Sequence, residues 1–449
     1  MHTQKGEGAH AIVVKTPNLL KLADSRLQHS AVVKLFKDVD ESPCVFKEAL
    51  LHSLNPGFPT SIGIPDGKQA VLGMPCASGS LESMLRGAEK VGERLTASQG
   101  THLLSFVFRH LSRLHAEGFV HMDLRPANVL LFTESRTARV ADFDSSLCAA
   151  FQHSMDWDHG YLTVPERWPT GHAPPSFAGD IYVAGMLAVA IMNPDVYSAQ
   201  PDKFHSKLVT VTDTGVQWKQ PMQKLWEECK YSPAVAEVLA QALHPDPEKR
   251  PSAHEIYQVL SPRPKPAPVA KVWDYSALPS SLTDPMGEML DMILEQYPRH
   301  HPALWIVASR LLKRWHVRAG EDDARKCCLP YTCVWFALQF SPIQHSVLLK
   351  FPPDVLETTR DMFMRAVHET CILMLEDPLL TTCFPQPFST PSQLARALDN
   401  EVKQVGGGID WRGQVRHTPG IARMWVETTD ALVPPCATGT EEGLETLPQ

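Results

Sequence analysis

Residues 121–144 constrain this chain more than any other stretch. They read His121-Met122-Asp123-Leu124-Arg125-Pro126-Ala127-Asn128, then an apolar run Val129-Leu130-Leu131-Phe132, a short polar turn, and Arg139-Val140-Ala141-Asp142-Phe143-Asp144. The two apolar pieces read as a short hairpin, with a loop before it and a turn after it. That arrangement brings Asp123, Asn128 and Asp142 together. A carboxylate at Asp123 can accept a hydroxyl proton. Asn128 can hold a metal ion, and Asp142 can bridge a second metal to nucleotide phosphates. The chemistry these three imply is phosphoryl transfer. An extended Asp142-Phe143-Asp144 would also point both carboxylates one way.

The remaining composition bounds the setting. At 449 residues the chain has room for two or three domains. Its 43% hydrophobic and 20% charged content is that of a soluble globular protein. A net charge of -8 speaks against non-specific nucleic-acid binding. The first eight residues lack the apolar core of a secretory signal. The longest strongly apolar run, Ile181 to Met192, is too short to span a bilayer and reads as a buried helix. Ten cysteines are scattered with no C-x-x-C pair. They read as buried free thiols in a reducing, intracellular compartment, cytoplasmic or nuclear.

The stretch from His121 resembles the catalytic loop of the protein kinases, H-R-D-L-x-x-x-N followed by D-F-G. Met122 stands at the arginine and Asp144 at the glycine. The flanking chain resembles the same family. Gly6-Glu7-Gly8-Ala9-His10-Ala11-Ile12-Val13 is similar to G-x-G-x-x-G-x-V, a turn whose backbone N–H groups can approach phosphates. Lys34, within the apolar strand Ala31 to Phe36, is similar to the lysine of the V-A-I-K strand that holds the α- and β-phosphates. Its glutamate partner would come from a helix at about Cys44 to Leu54. Glu48 is the only acid there, but the family's spacing to the last leucine of the apolar face would select Lys47. Met74-Pro75-Cys76 would be the adenine-binding hinge, and Ser80 would cap the helix that follows. Ser98 to Glu117 reads as a helix with Leu103, Val107, Leu111 and Leu114 on one face, ended by Gly118. Val164-Pro165-Glu166-Arg167 resembles the A-P-E end of an activation segment, and Asp180 with Gly185 matches a D-x-x-x-x-G spacing. Leu243 to Ala253 resembles the family's closing L-x-x-D-P-x-x-R-P-S-A.

What this resemblance implies is an α+β, two-lobed kinase domain over residues 1–262, with an N-lobe to about 74 and a C-lobe from about 77. Asp123 would deprotonate a Ser/Thr hydroxyl of a protein substrate, Arg125 would neutralise the γ-phosphate, and Lys34 would anchor ATP. Asn128 and Asp142 would hold Mg2+ or Mn2+. His121 and Asp180 would brace the catalytic loop, and Glu48 with Lys34 and Glu166 with Arg250 would form ion pairs. The alternative is a pseudokinase that keeps the fold as a binding module. Met122 predicts activation without a loop phosphate.

A proline-rich linker, 263–272, leads to a helical region, 273–405, and an irregular tail, 406–449. Met286, Met289, Leu290, Ile293, Leu294 and Tyr297 mark one helical face, and Leu304, Val307, Ala308, Leu311, Leu312 and Trp315 another. Tyr331 to Phe340 is apolar nearly all round, as a central helix is, and Asp354 to Leu375 is amphipathic. Ala308 to Trp315 and Val334 to Ser341 resemble segments of a cyclin box. That likeness implies a helical domain acting on the kinase in cis or binding a protein partner. Gln339 stands where cyclins carry a kinase-contacting lysine. Neither nucleic acid nor membrane is expected as a partner.

Overall fold

The computed structural model describes residues 4–7, 11–15, 23–36, 44–55, 58–65, 69–91, 95–154, 164–167, 176–194, 208–212, 215–219, 230–261, 301–316, 323–341 and 357–385, with isolated residues between them. Gly8, Tyr161, the linker 263–272 and the tail 406–449 lie outside the described residues.

Five short strands build the N-terminal sheet: β1 (Gln4–Glu7), β2 (Ala11–Lys15), β3 (Val32–Phe36), β4 (Ser61–Gly63) and β5 (Val71–Met74). They pair antiparallel in the order β1-β2-β3-β5-β4. Alternation along β3 and β5 sorts their side chains into two layers. Val33 and Val71 pack on Leu27 on one face, while Val32, Phe36, Leu72 and Met74 join the main core on the other. Lys34 pairs with Leu72 in the ladder and is 6% exposed.

Helix α1 (Cys44–Ser53) is buried at every residue from Cys44 to His52. A helix with no solvent face needs cover on all sides, and this one has it. The sheet lies on one side. On the other, Phe46 meets Trp335 edge-on at 5.7 Å and His368 at 5.5 Å, both from the C-terminal half.

The lower lobe begins at β6 (Gly79–Ser80) and α2 (Leu81–Val91), followed by α3 (Ala97–Ala116). Thr96 opens α3 with a capping box: its hydroxyl accepts from Gln99 N, and its own N–H donates to Gln99 Oε1 at 2.9 Å. Gly118, at φ 84°, ends it, a conformation that costs a residue without Cβ little. Strand β7 (Phe119–Val120) leads into the catalytic loop. The hairpin read from the sequence forms β8 (Val129–Phe132) and β9 (Thr137–Val140), with Val129 opposite Val140. Strand β10 (Leu147–Cys148) returns beside β7. Helix α4 (Phe177–Met192) is buried over nearly its whole length, β11 (Val209–Thr212) and β12 (Gly215–Trp218) form a hairpin, and α5 (Pro233–Ala242) and α6 (Ala253–Leu260) close the lobe. A Cβ at Gly185 of α4 would lie 2.9 Å from Leu243, so a glycine permits that approach.

Three helices are described in the C-terminal half: α7 (His301–His316), α8 (Asp323–Leu338) and α9 (Glu357–Leu375). Leu304, Val307, Ala308, Leu311 and Leu312 are fully buried, as are Val334, Phe336 and Ala337. These helices share one continuous apolar core with the kinase-like part. Helix α9 packs on α1, and Arg26 reaches Glu369 at 2.8 Å. Phe340 and Phe384 stack against Phe119 at 5.3 and 4.9 Å, and Cys148 N donates to Phe340 O at 3.0 Å.

Candidate active site

Strand β3, helix α1 and the segment after β9 converge on one ammonium group. Lys34 Nζ lies 2.8 Å from Glu48 Oε2, 2.8 Å from Asp142 Oδ1 and 3.3 Å from Asp144 Oδ1. Burial works against its charge, but Glu48, Asp144 and Asp142 outweigh it and hold the pKa well above that of a free lysine. Glu48 is 1% exposed. Burial alone would raise its pKa, yet Lys34 and His52 hold it below the usual carboxylate value. His52 Nε2 stands 3.5 Å from Glu48 Oε1, one turn further along α1. Asp144 moves the other way: burial and the adjacent Glu48 and Asp142 raise its pKa against the pull of Lys34.

Of the two residues the sequence left open on α1, Glu48 faces Lys34. Lys47 is fully buried and turns to the segment between β9 and β10. Its Nζ donates to Asp144 O at 2.5 Å and Ser146 O at 3.2 Å. A sequence reading has no reason to give Lys47 that role; its only signal was the ambiguous register. Asp142 sits at φ 65°, a left-handed conformation that costs a non-glycine residue about 1–3 kcal/mol. The Asp142-Phe143-Asp144 segment is therefore turned rather than extended, and both carboxylates still reach Lys34. Phe143 is fully buried, with His52, His121 and His110 at ring distances of 4.9, 5.1 and 5.5 Å.

The loop before β8 is braced from below. Asp180 accepts from His121 N at 2.8 Å and Met122 N at 3.2 Å, and His115 Nε2 is 2.9 Å from the same carboxylate. This backbone anchoring keeps Met122 at φ 70°. Burial opposes the Asp180 charge, but these contacts hold its pKa below normal. His121 Nε2 lies 3.2 Å from Ala141 O, tying the loop to the strand that delivers Asp142. Asn128 donates Nδ2 to Asp123 Oδ2 at 2.9 Å and Asp123 O at 2.8 Å, which leaves Oδ1 as its acceptor end. Asp123 is half-exposed, with Arg125 Nε 3.3 Å from its carboxylate. Ser146 is buried and donates to His121 O at 3.1 Å, so it belongs to the framework and not to an accessible loop.

Met74 is the last residue of β5, only 7% exposed in the core, and its carbonyl accepts from Ala31 N at 3.0 Å. The connector to the lower lobe thus begins at Pro75, which has no N–H, and its first donors are Cys76 and Ala77. Gly6 lies in β1, and Val13 sits in β2 opposite both Gly6 and Lys34. Arg250 grips Glu166 with two bonds, Nη1 to Oε1 at 2.8 Å and Nη2 to Oε2 at 2.6 Å, and donates to Ala178 O and His244 O as well.

Glu48, Asp142 and Asp144 each offer an oxygen within 4.8 Å of the others. Hard oxygen donors of this kind suit Mg2+ or Mn2+.

Residues 25–260 match the protein kinase domain, and the chain belongs to that family. Its relatives include serine/threonine-protein kinase pakG of Dictyostelium discoideum, 25% identical over 40% of this chain and 15% of the relative. Serine/threonine-protein kinase 16 of Rattus norvegicus is 26% identical over 42% of this chain and 64% of its own length. Cyclin-dependent kinase 20 of Pongo abelii is 29% identical over 36% and 46%. The chain thus spans less than two thirds of each of these relatives.

Proposed function

We propose that the chain is an ATP-dependent protein kinase that transfers the γ-phosphoryl group to Ser/Thr hydroxyls of a protein substrate. One observation carries this reading: the Lys34 ammonium stands 2.8 Å from both Glu48 and Asp142, which a buried cation needs if it is to remain charged and meet phosphates. Asp123, half-exposed and oriented by Asn128, accepts the proton of the attacking hydroxyl. Arg125 presents an exposed guanidinium to the transferred group. Asn128 and Asp142 would hold Mg2+ or Mn2+, which, when bound, neutralises charge on the phosphates. Gly6, Gly8 and Val13 would cover the nucleotide, and Met74 and Cys76 would contact its base. The serine/threonine names of relatives support the acceptor class.

In this reading residues 1–262 form the catalytic unit and 273–405 a cyclin-like regulator acting in cis, with 263–272 as linker. The contacts of Phe46 with Trp335 and of Cys148 with Phe340 support action in cis. No described helix is long and apolar enough to cross a membrane. An intracellular site of action and the absence of a nucleic-acid partner remain part of the proposal.

A second reading, a pseudokinase that binds nucleotide without efficient transfer, is favoured by Asp144, which adds a third carboxylate to Lys34. Phosphate transfer from labelled ATP separates the two. Asp123→Asn is expected to lower the rate by roughly 10²–10⁴. Equal rates for the two proteins leave the second reading standing.

A further inference from the structure

Three arginines gather on the lower lobe, and none of them forms an ion pair among the described residues. Arg109 and Arg113 lie one turn apart on α3, and Arg139 is on β9, which packs against that helix. The Phe106 ring lies under both the Arg109 guanidinium, 5.2 Å from its centre, and that of Arg139, 6.0 Å away. Arg139 is only 8% exposed. The Nε atoms of Arg109 and Arg139 are buried with no hydrogen-bond partner. The remaining bonds go to neutral carbonyls: Arg113 Nη1 to Leu54 O at 3.4 Å and Arg139 Nη1 to Ala138 O at 3.2 Å.

The local field reports the same imbalance. Burial and then the neighbouring guanidiniums lower the pKa of Arg113 and of Arg139. His110, between Arg109 and Leu111 on α3, is pushed well below its ordinary value by burial, by His52 and His121, and by Arg139 and Arg113. Desolvated like charges with dry donors cost free energy unless an anion offsets them.

We propose that Arg109, Arg113 and Arg139 form an oxyanion site whose ligand is a phosphate group, free or esterified. A lone carboxylate carries one charge and would leave two of the three cations unmatched. A phosphate dianion offers three or four oxygens to three planar forks, the geometry guanidinium groups match best. The site shares no residue with the Lys34–Asp142 centre and stands whether or not the chain transfers phosphate.

The test uses the full chain. Thermal unfolding is followed with inorganic phosphate, and separately with O-phosphoserine, in chloride adjusted to constant ionic strength. Phosphate should raise the melting temperature of the wild type. Arg109→Gln and Arg139→Gln should each weaken the response about tenfold while keeping the shift caused by ATP. A stronger response to O-phosphoserine assigns the esterified ligand, and a response to phosphate alone the free ion. Should a variant fail to fold, the wild type still decides: phosphate should slow phenylglyoxal modification of Arg109 and Arg113, mapped by mass spectrometry, and leave exposed Arg86 unprotected. Equal responses in wild type and folded variants, reproduction of the effect by chloride, or no selective protection overturns the site.

Discussion

The Lys34 centre and the arginine face of α3 and β9 are inverse arrangements of charge. In the first, one buried cation is surrounded by three carboxylates within 3.4 Å. In the second, three cations stand together and their bonds end on neutral carbonyls. Each is incomplete by itself, in opposite senses. The first carries surplus negative charge and suits a cation, and the second carries surplus positive charge and suits an anion. Burial makes both imbalances matter, because water cannot screen them fully.

The largest effect should follow Lys34→Met. It leaves Glu48 and Asp144 buried without their cation and should destabilise the chain by about 3–5 kcal/mol, measured by denaturant unfolding. An unchanged midpoint would mean that the carboxylates do not depend on Lys34, and the contrast would lose one side. Arg250 offers a control of the same size. Glu166→Gln removes the acid from a fully buried guanidinium and should also cost about 3–5 kcal/mol.

Acid should act on one region and spare the other. Glu48 has a folded pKa below its unfolded value of 4.5, so its contribution is complete above that value and is lost progressively as pH falls from there through the folded pKa. Arginines stay charged throughout this range. Melting temperature should therefore fall more steeply below pH 4.5 in the wild type than in Lys34→Met. Parallel curves would remove Glu48 as the cause.

Asp144→Gly removes one of the three carboxylates and tests whether the surplus is used. Nucleotide binding, titrated by fluorescence against Mg2+ and Mn2+, should need a few-fold less metal in the variant, following the loss of like-charge repulsion. Superimposable titrations would show that Asp144 neither repels phosphate nor binds metal. The smallest effect belongs to the arginine face. Arg139→Gln relieves repulsion and should change stability by no more than about 0.5 kcal/mol, or raise it. A loss of several kcal/mol would show that an unseen contact, rather than a ligand, balances Arg139.

Local signals were the legible ones. The β8–β9 hairpin and α3 could be read because an apolar run broken by a polar turn, a one-sided apolar face and Gly118 act within a few residues. Glu166 and Arg250 could be paired only through the family resemblance, since 83 residues separate them. The register of α1 resisted because the helix is buried all round, so no polar stripe fixes which neighbour, Lys47 or Glu48, faces Lys34. The boundary between β5 and the connector at Met74 could not be drawn, because a strand end and a connector look alike until ladder pairing is known. The left-handed backbone of the turn at Asp142 had no sequence signal, since that conformation is rare outside glycine. The arginine cluster left no sequence trace: packing of β9 on α3 creates it.

The stacking of Phe384 and Phe340 on Phe119 has a consequence for biosynthesis. Phe384 lies 124 residues beyond Leu260, the end of the last lower-lobe helix. At roughly 5–20 residues per second, the ribosome takes about 6–25 s to cover that distance. During this interval Phe46 of the upper lobe and Phe119 of the lower lobe wait for apolar partners that are made only later. Such surfaces are the ones chaperones hold, so emergence of the lobe from the ribosome and its completion are separate events in time.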